Sequence, residues 1–254
     1  MSGCAVVDTG LYQGAKPMPR GGIRVGGGMS SGLHLEEANH YKAEGREIPS
    51  SEKPLYKRPL LPPASLDALI LSTFAVHLGY GLREDMELNA SLWGGLLGQG
   101  MRAGIKRQVY QSGRGLYASI LPGVLYMRTE GGSSPEDDVT DGQQMFLQHM
   151  VYDKAVYGLD LPLSIGIQRG EGREAYIVPS YSVYVLDVSK SYFPEMTGTY
   201  VAHRLGLAVG TDLMGDSNFL RPEISLSVLF FAHAYPVANV NFAIGFGFES
   251  DDRD

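Results

Sequence analysis

The stretch VNFAIGFGFE, residues 240–249, alternates large apolar residues with small or polar ones. Because successive side chains of a β-strand point to opposite faces, this period of two predicts a strand with one apolar face. Two further segments, at about residues 200–212 and 220–230, alternate in the same way. Their polar faces carry glycine and alanine rather than the lysine, glutamate and threonine expected of a solvated sheet surface. The pattern therefore favours strands that have a bulky apolar face and a crowded polar one.

Strands of this kind are typical of a transmembrane β-barrel, in which lipid-facing and lumen-facing residues alternate. Further alternating segments lie at about residues 23–29, 66–82, 86–97, 101–110, 115–128, 157–168 and 175–186. The sequence therefore predicts an all-β fold, a closed antiparallel up-and-down transmembrane β-barrel of about ten strands over residues 22–249. Short connections follow the second, fourth, sixth and eighth strands, and most of the others are longer. That arrangement is typical of outer-membrane barrels, whose periplasmic turns are short.

Composition agrees with this interpretation and excludes several classes of protein. The 254 residues include 33 glycines, only 19% are charged, and the net charge of −7 argues against a nucleic-acid partner. No apolar run is long enough for a transmembrane helix. Mean hydropathy is only −0.08 because polar lumen and loop residues offset the apolar faces.

Two short stretches carry a family resemblance. GAKP at residues 14–17 and PRGGIRVG at residues 19–26 resemble the opening of bacterial outer-membrane β-barrel proteins, where a short basic lead precedes a glycine-rich first strand. The segment 82–126 is also similar to that family. The resemblance implies location in the bacterial outer membrane, contact with its lipids, and contact with other envelope proteins through external loops. It implies no cofactor.

The residues MSGC, 1–4, resemble the end of a bacterial lipoprotein signal peptide, where small residues precede the cysteine that becomes lipidated. Met1 stands where that family usually has leucine. On this resemblance, residues 1–21 are a periplasmic N-terminal lead-in with a lipidated Cys4, and residues 250–254 are an acidic tail. An ordinary cysteine near a terminus is the alternative. A single cysteine excludes an internal disulfide.

The parity of the alternation assigns each strand residue to one face of the barrel wall. The predicted lumen-lining residues are Arg24, His77, Glu87, Arg102, Lys106, Asp160, Gln168, Arg204, Asp212, Arg221 and Glu223. The predicted lipid-facing residues are Leu161, Leu163, Ile165, Ile224, Leu226, Val228, Phe242, Ile244 and Phe246. Arginines belong on the lumen side, since an arginine facing lipid at the midplane costs ~2–4 kcal/mol.

Three functions stay open at this point. A structural or accessory role in the envelope, within a larger assembly, is favoured, because a barrel of this size has an interior that side chains nearly fill. A narrow solute channel with a charged lumen is the first alternative. A soluble lipocalin-like barrel that binds a small ligand is the second, and it requires the apolar faces to point inward. No catalytic motif and no metal-ligand spacing is present, so no enzyme is expected.

Overall fold

The computed structural model describes residues 4–7, 10, 14–31, 33–36, 73–95, 98–130, 153–169, 173–190, 198–214, 217–231 and 237–250. Within these ranges the regular elements are thirteen β-strands: β1 (Cys4–Val7), β2 (Ile23–Ser30), β3 (Leu33–Glu36), β4 (Thr73–Arg83), β5 (Met86–Gly95), β6 (Gly98–Gln111), β7 (Leu116–Ile120), β8 (Gly123–Glu130), β9 (Asp153–Arg169), β10 (Arg173–Lys190), β11 (Gly198–Thr211), β12 (Asn218–Phe231) and β13 (Val237–Ser250). No helix in these ranges is long and apolar enough to cross a membrane.

Eleven of the strands form one closed antiparallel sheet. Neighbours follow the chain from β4 to β6 and from β9 to β13, with β7 and β8 both lying between β6 and β9. The first and last wall strands, β2 and β13, pair from Ile23 with Ser250 to Ser30 with Ala243, which closes the cylinder. Because β7 and β8 share one place in the wall, the barrel has ten strand positions. The predicted closed antiparallel barrel of about ten strands is confirmed.

The wall is interrupted between β7 and β8, at Leu121 and Pro122. Proline has no backbone N–H to donate to a ladder, so a central strand cannot continue through it unchanged. Part of the hydrogen bonding is kept, because the Leu121 N–H donates to the Pro162 carbonyl and the Ile105 N–H donates to the Pro122 carbonyl. The single strand predicted over residues 115–128 is therefore two strands in register with the same neighbours.

The two ends of the barrel differ in their connections. One end, here termed the short-turn end, carries the turns at residues 84–85, 112–115, 170–172 and 212–217, the start of β2 and the end of β13. The opposite, long-loop end carries the connections at residues 31–72, 96–97, 131–152, 191–197 and 232–236. Strand β3 lies within the first of these and pairs with β1. For residues 34–43 the sequence predicts either a short helix or an irregular exposed loop. Residues 33–36 form strand β3, and residues 37–43 lie outside the described residues.

Apolar side chains cover the outside of the barrel and polar ones fill much of the inside. Phe242 is 61% exposed, Leu226 58% and Phe246 56%, whereas Arg24, Glu87 and Lys106 are almost completely buried. A soluble lipocalin-like barrel requires the reverse arrangement. That alternative is therefore wrong for this chain.

Glycines make room for aromatic rings inside the barrel. In four cross-strand pairs an interior aromatic residue stands directly opposite a glycine: Trp93 with Gly100, Tyr176 with Gly210, Tyr184 with Gly158, and Phe219 with Gly247. A Cβ on any of these glycines would lie closer than 3.0 Å to the opposing ring. The high glycine content thus reflects close packing of large side chains in a narrow lumen. From sequence, Tyr176 and Tyr184 are predicted to belong to aromatic girdles at the bilayer interfaces, but both side chains lie inside the barrel.

We expect Gly26→Ala to lower the free energy of unfolding by ~1–3 kcal/mol, the usual cost of overpacking. A Cβ at Gly26 would lie 2.6 Å from Cζ of Phe219 and 2.7 Å from the carbonyl oxygen of Phe246. The matched control is Gly94→Ala, because no heavy atom lies within 4 Å of a Cβ there. Urea unfolding of the refolded protein, followed by fluorescence of its single tryptophan, gives both values. Equal stability of the two variants would contradict this packing.

Candidate functional site: the barrel interior

A network of buried ion pairs occupies the interior at the short-turn end. Arg24 contacts Glu87 at 2.5 Å and Glu249 at 2.7 Å. Arg221 contacts Asp212 and Glu249, both at 2.8 Å. Glu249 thus joins two arginines that come from different strands. Fully satisfied networks of this kind hold a buried polar interior in a single arrangement.

The N-terminal segment of residues 14–18 crosses this network. The backbone N–H of Ala15 donates to Oε1 of Glu174 at 2.6 Å, and that of Met18 donates to Oε2 of Glu87 at 2.9 Å. Glu174 and Glu87 lie on β10 and β5, which are not neighbours in the wall. The segment therefore spans the lumen from one wall to another.

Two further wall residues bind the carbonyl groups of the same segment. Nζ of Lys106 donates to the carbonyl oxygens of Gly14 and Lys16, and Oγ of Ser119 donates to that of Ala15. Ala15 itself is completely buried. Small side chains let the backbone enter this space, since a Cβ at Gly14 would collide with Glu174. Residues 14–18 are termed the N-terminal plug below.

The expected periplasmic lead-in at residues 1–21 stays a prediction. In its described part, the segment does not lie outside the barrel: residues 14–18 cross the short-turn end, and Gly10 lines an interior cavity further along the lumen. Strand β1, which contains Cys4, pairs with β3 at the long-loop end. Cys4 is therefore at the end opposite the short turns, not beside them. The lipidation of Cys4 stays a prediction.

The interior cavity, here termed the central cavity, lies at mid-height. Its lining includes His77, Asn89, Arg102, Asp160 and Arg204, together with backbone at Gly10 and the wall break at Leu121. Nε of Arg102 lies 3.1 Å from Oδ2 of Asp160, although the angle is poor for a hydrogen bond. The hydroxyl of Tyr184 donates to the other oxygen of Asp160 at 3.4 Å.

Toward the long-loop end the interior contains an apolar cluster, beside buried polar residues such as Lys154 and Thr73. Ten side chains pack into one buried cluster: Ala75, Trp93, Leu125, Met127, Val156, Tyr184, Leu186, Val188, Ala202 and Leu229. The guanidinium of Arg102 lies 5.9 Å from the Trp93 ring, at the boundary between this cluster and the central cavity. From the short-turn end upward, the lumen thus contains the ion-pair network with the N-terminal plug, then the central cavity, and then the apolar cluster.

The structure places the predicted lumen residues as follows. Arg24, His77, Glu87, Lys106, Asp160, Arg204, Asp212, Arg221 and Glu223 are buried inside the barrel, while Arg102 and Gln168 are partly buried on the same face. Nine of these eleven residues form two groups. Arg24, Glu87, Lys106, Asp212 and Arg221 belong to the short-turn network, and His77, Arg102, Asp160 and Arg204 line the central cavity.

The predicted lipid-facing residues lie on the outer face. Leu161, Ile224, Leu226, Phe242, Ile244 and Phe246 are exposed, and Leu163, Ile165 and Val228 are partly covered by neighbouring side chains. Beside the wall break, Leu163 and Ile165 of β9 pair with Ile120 and Ala118 of β7, respectively.

Sequence reasoning missed three interior contributors. Glu174 lies one residue before the predicted start of its strand, Glu249 is the last residue of the stretch 240–249, and Ser119 lies in a strand whose two faces were both apolar. Extending the strand predicted at residues 175–186 by one residue, with the same alternation of faces, would have placed Glu174 in the lumen. Nothing in the periodicity marks the N-terminal plug, because it is held through its backbone.

Among the described ranges, no group of three or more His, Cys, Asp and Glu side chains could hold a metal ion.

Neither a protein-family model nor a curated protein matches the chain. Among solved structures, the chain is similar to Ail, the attachment invasion locus protein of Yersinia pestis, with 9% sequence identity and a TM-score of 0.32 over 91% of this chain and 99% of Ail. At that level of similarity, the function has to be inferred from the residues of this chain.

Proposed function

We propose that this chain is an outer-membrane β-barrel protein of a Gram-negative bacterium, with a closed interior and a structural or accessory role in the envelope. The observation that carries the proposal is the combination of an exposed apolar outer face with a filled interior. Exposed apolar patches on soluble monomers rarely exceed a few hundred Å². Here exposed apolar residues occur on the outer face of nearly every wall strand. Lipid is the solvent that matches such a surface.

The closed sheet supports the same proposal. In hydrocarbon every backbone polar group needs an internal partner, and a closed barrel supplies these partners without an open edge. Outward tyrosines also suit the two bilayer interfaces: Tyr80 and Tyr110 lie toward the short-turn end, while Tyr126 and Tyr157 lie toward the other end, with ring centroids 5.3 Å apart. Aromatic girdles at both interfaces are typical of outer-membrane barrels.

The filled interior favours a structural role over a solute channel. A channel needs a continuous wide path, whereas this lumen contains the N-terminal plug at one end and the apolar cluster toward the other. The central cavity between them is small, about 40 Å³. The long connections at residues 31–72 and 131–152 leave the long-loop end. We therefore expect contacts with other envelope proteins at that end, and lipid around the wall.

The experiment expresses the full chain behind an outer-membrane signal sequence and recovers it from the membrane fraction in mild detergent. We expect the unboiled protein to migrate differently from the boiled protein on a gel, because a folded barrel resists the detergent. Recovery in the soluble periplasmic fraction without detergent would overturn the membrane assignment. The same preparation is then added to planar bilayers, where we expect no steady conductance. Steady conductance would overturn the closed interior and leave the membrane barrel intact.

A further inference from the structure

The described lining of the central cavity has more cationic than anionic side chains. Among the described residues, three side chains of fixed charge line it: Arg102, Arg204 and Asp160. Asp160 lies against Arg102, at 3.1 Å, and accepts from the Tyr184 hydroxyl. His77 also lines the cavity. The described lining thus has one carboxylate for two guanidinium groups.

Arg204 is buried in this lining, and its Nε lacks a hydrogen-bond partner. It is only 6% exposed. Within the described part of the chain, no carboxylate forms an ion pair with it. Its guanidinium lies along its own strand, since a Cβ at Gly206 would lie 3.0 Å from Nη2 of Arg204 and 2.6 Å from Oγ of Ser180. The group therefore faces the cavity beside a serine hydroxyl.

A buried guanidinium without a counter-charge is costly. Removing a neutral polar group from water costs a few kcal/mol, and removing an ion costs far more unless it is paired. Arginine does not lose its proton in proteins, so it cannot become neutral to escape this cost. Water would satisfy the N–H groups but would leave the charge unbalanced. An anion satisfies both requirements.

We propose that the central cavity binds a small monovalent anion, with Arg204 as its principal ligand and the hydroxyl of Ser180 as a further donor. The cavity volume of about 40 Å³ limits the size of the ligand. One water molecule needs roughly 10–15 Å³ on this measure, so the space holds a halide ion or a carboxylate of very few atoms. A sugar acid such as gluconate is too large. This site is independent of the role of the barrel in the envelope.

The test uses the full chain, refolded in detergent, at constant ionic strength. The unfolding temperature is compared in sodium chloride, sodium bromide, sodium formate and sodium gluconate, the last having an anion too large for the cavity. We expect the unfolding temperature in chloride to exceed that in gluconate by about 5 °C, because a ligand that binds only the folded state stabilises it. The formate arm distinguishes a carboxylate ligand from a halide. Equal unfolding temperatures in all four salts would overturn the site.

Variants assign the effect to Arg204. Arg204→Gln should abolish the difference between chloride and gluconate, Arg204→Lys should keep part of it, and the control Arg107→Gln, at an exposed arginine, should keep all of it. If Arg204→Gln does not fold, crystals of the unchanged chain soaked in bromide decide the question. An anomalous peak beside Nε of Arg204 supports the proposal. If no anomalous peak lies beside Arg204 and only an ordered water occupies the cavity, the proposal is overturned.

Discussion

Replacing Glu87 with glutamine is expected to lower the free energy of unfolding by about 3–5 kcal/mol, the cost of breaking a buried ion pair by removing one partner. Glu87 is completely buried and lies between two cations, Arg24 at 2.5 Å and Lys106 at 4.0 Å. Its second oxygen accepts from the Met18 backbone. The substitution therefore leaves two buried cations with one carboxylate fewer and also weakens one anchor of the N-terminal plug.

The measurement is urea unfolding of the variant after refolding into lipid vesicles, with the fluorescence of Trp93 as the signal. The matched control is Glu84→Gln, because Glu84 is exposed in the turn between β4 and β5 and a surface substitution changes stability by only about 0.5 kcal/mol. A loss below about 1 kcal/mol for Glu87→Gln would contradict the buried network, since a solvated carboxylate behaves in that way.

A double-variant cycle tests the reason for the expected loss. If Glu87→Gln is destabilising because it leaves Lys106 without a counter-charge, then adding Lys106→Met should recover part of the lost free energy of unfolding. We expect the two changes together to cost about 1–3 kcal/mol less than their sum, which is the coupling typical of groups within one ionic network. Strict additivity would show that the two charges do not interact.

The strands of the barrel wall can be predicted from the sequence because successive side chains face opposite environments. Lipid outside and polar groups inside impose a period of two, as in the stretch 240–249, and strand number follows from counting such segments. The prediction is weakest where the two faces of a strand have the same polarity. Leu125 and Met127 belong to the apolar interior cluster, so their strand is apolar on both faces and its parity is ambiguous.

The contents of the lumen are harder to read. The N-terminal plug binds the wall through backbone N–H and carbonyl groups, which every residue carries, so its side chains give no periodic signal. Likewise, the parity of the alternation places Glu87 and Lys106 inside the barrel but does not show that they are neighbours, because neighbours in the lumen come from different strands. Those contacts depend on register: Glu87 pairs with Lys106 across β5 and β6, and register is a property of the closed sheet.

Deleting residues 1–18 is expected to open the short-turn end of the lumen to reagents. Five hydrogen bonds join the plug to Glu87, Glu174, Lys106 and Ser119. Each contributes about 0.5–1.5 kcal/mol net, and more where one partner is charged. Opening the plug therefore costs at least a few kcal/mol, and each 1.4 kcal/mol is about a factor of ten in population.

The readout is the rate at which a charged thiol reagent labels a cysteine placed at Ser119, which is completely buried beneath Ala15. The full chain carries Cys4→Ser, so that the introduced cysteine is the one labelled. We expect labelling of Ser119→Cys to be on the order of 100-fold faster in the deleted chain than in the full chain. The control is Gly113→Cys, because a Cβ there has no heavy atom within 4 Å.

Equal labelling of Ser119→Cys with and without residues 1–18 would show that the plug does not cover the lumen. Conductance gives a separate answer, since the apolar cluster toward the long-loop end does not depend on the Ala15 contacts. A deleted chain that labels at Ser119 but carries no current would locate the remaining barrier in that cluster. One that labels and conducts would make residues 1–18, which include β1 and the N-terminal plug, the closure of the barrel, and the channel alternative would then apply to the chain without them.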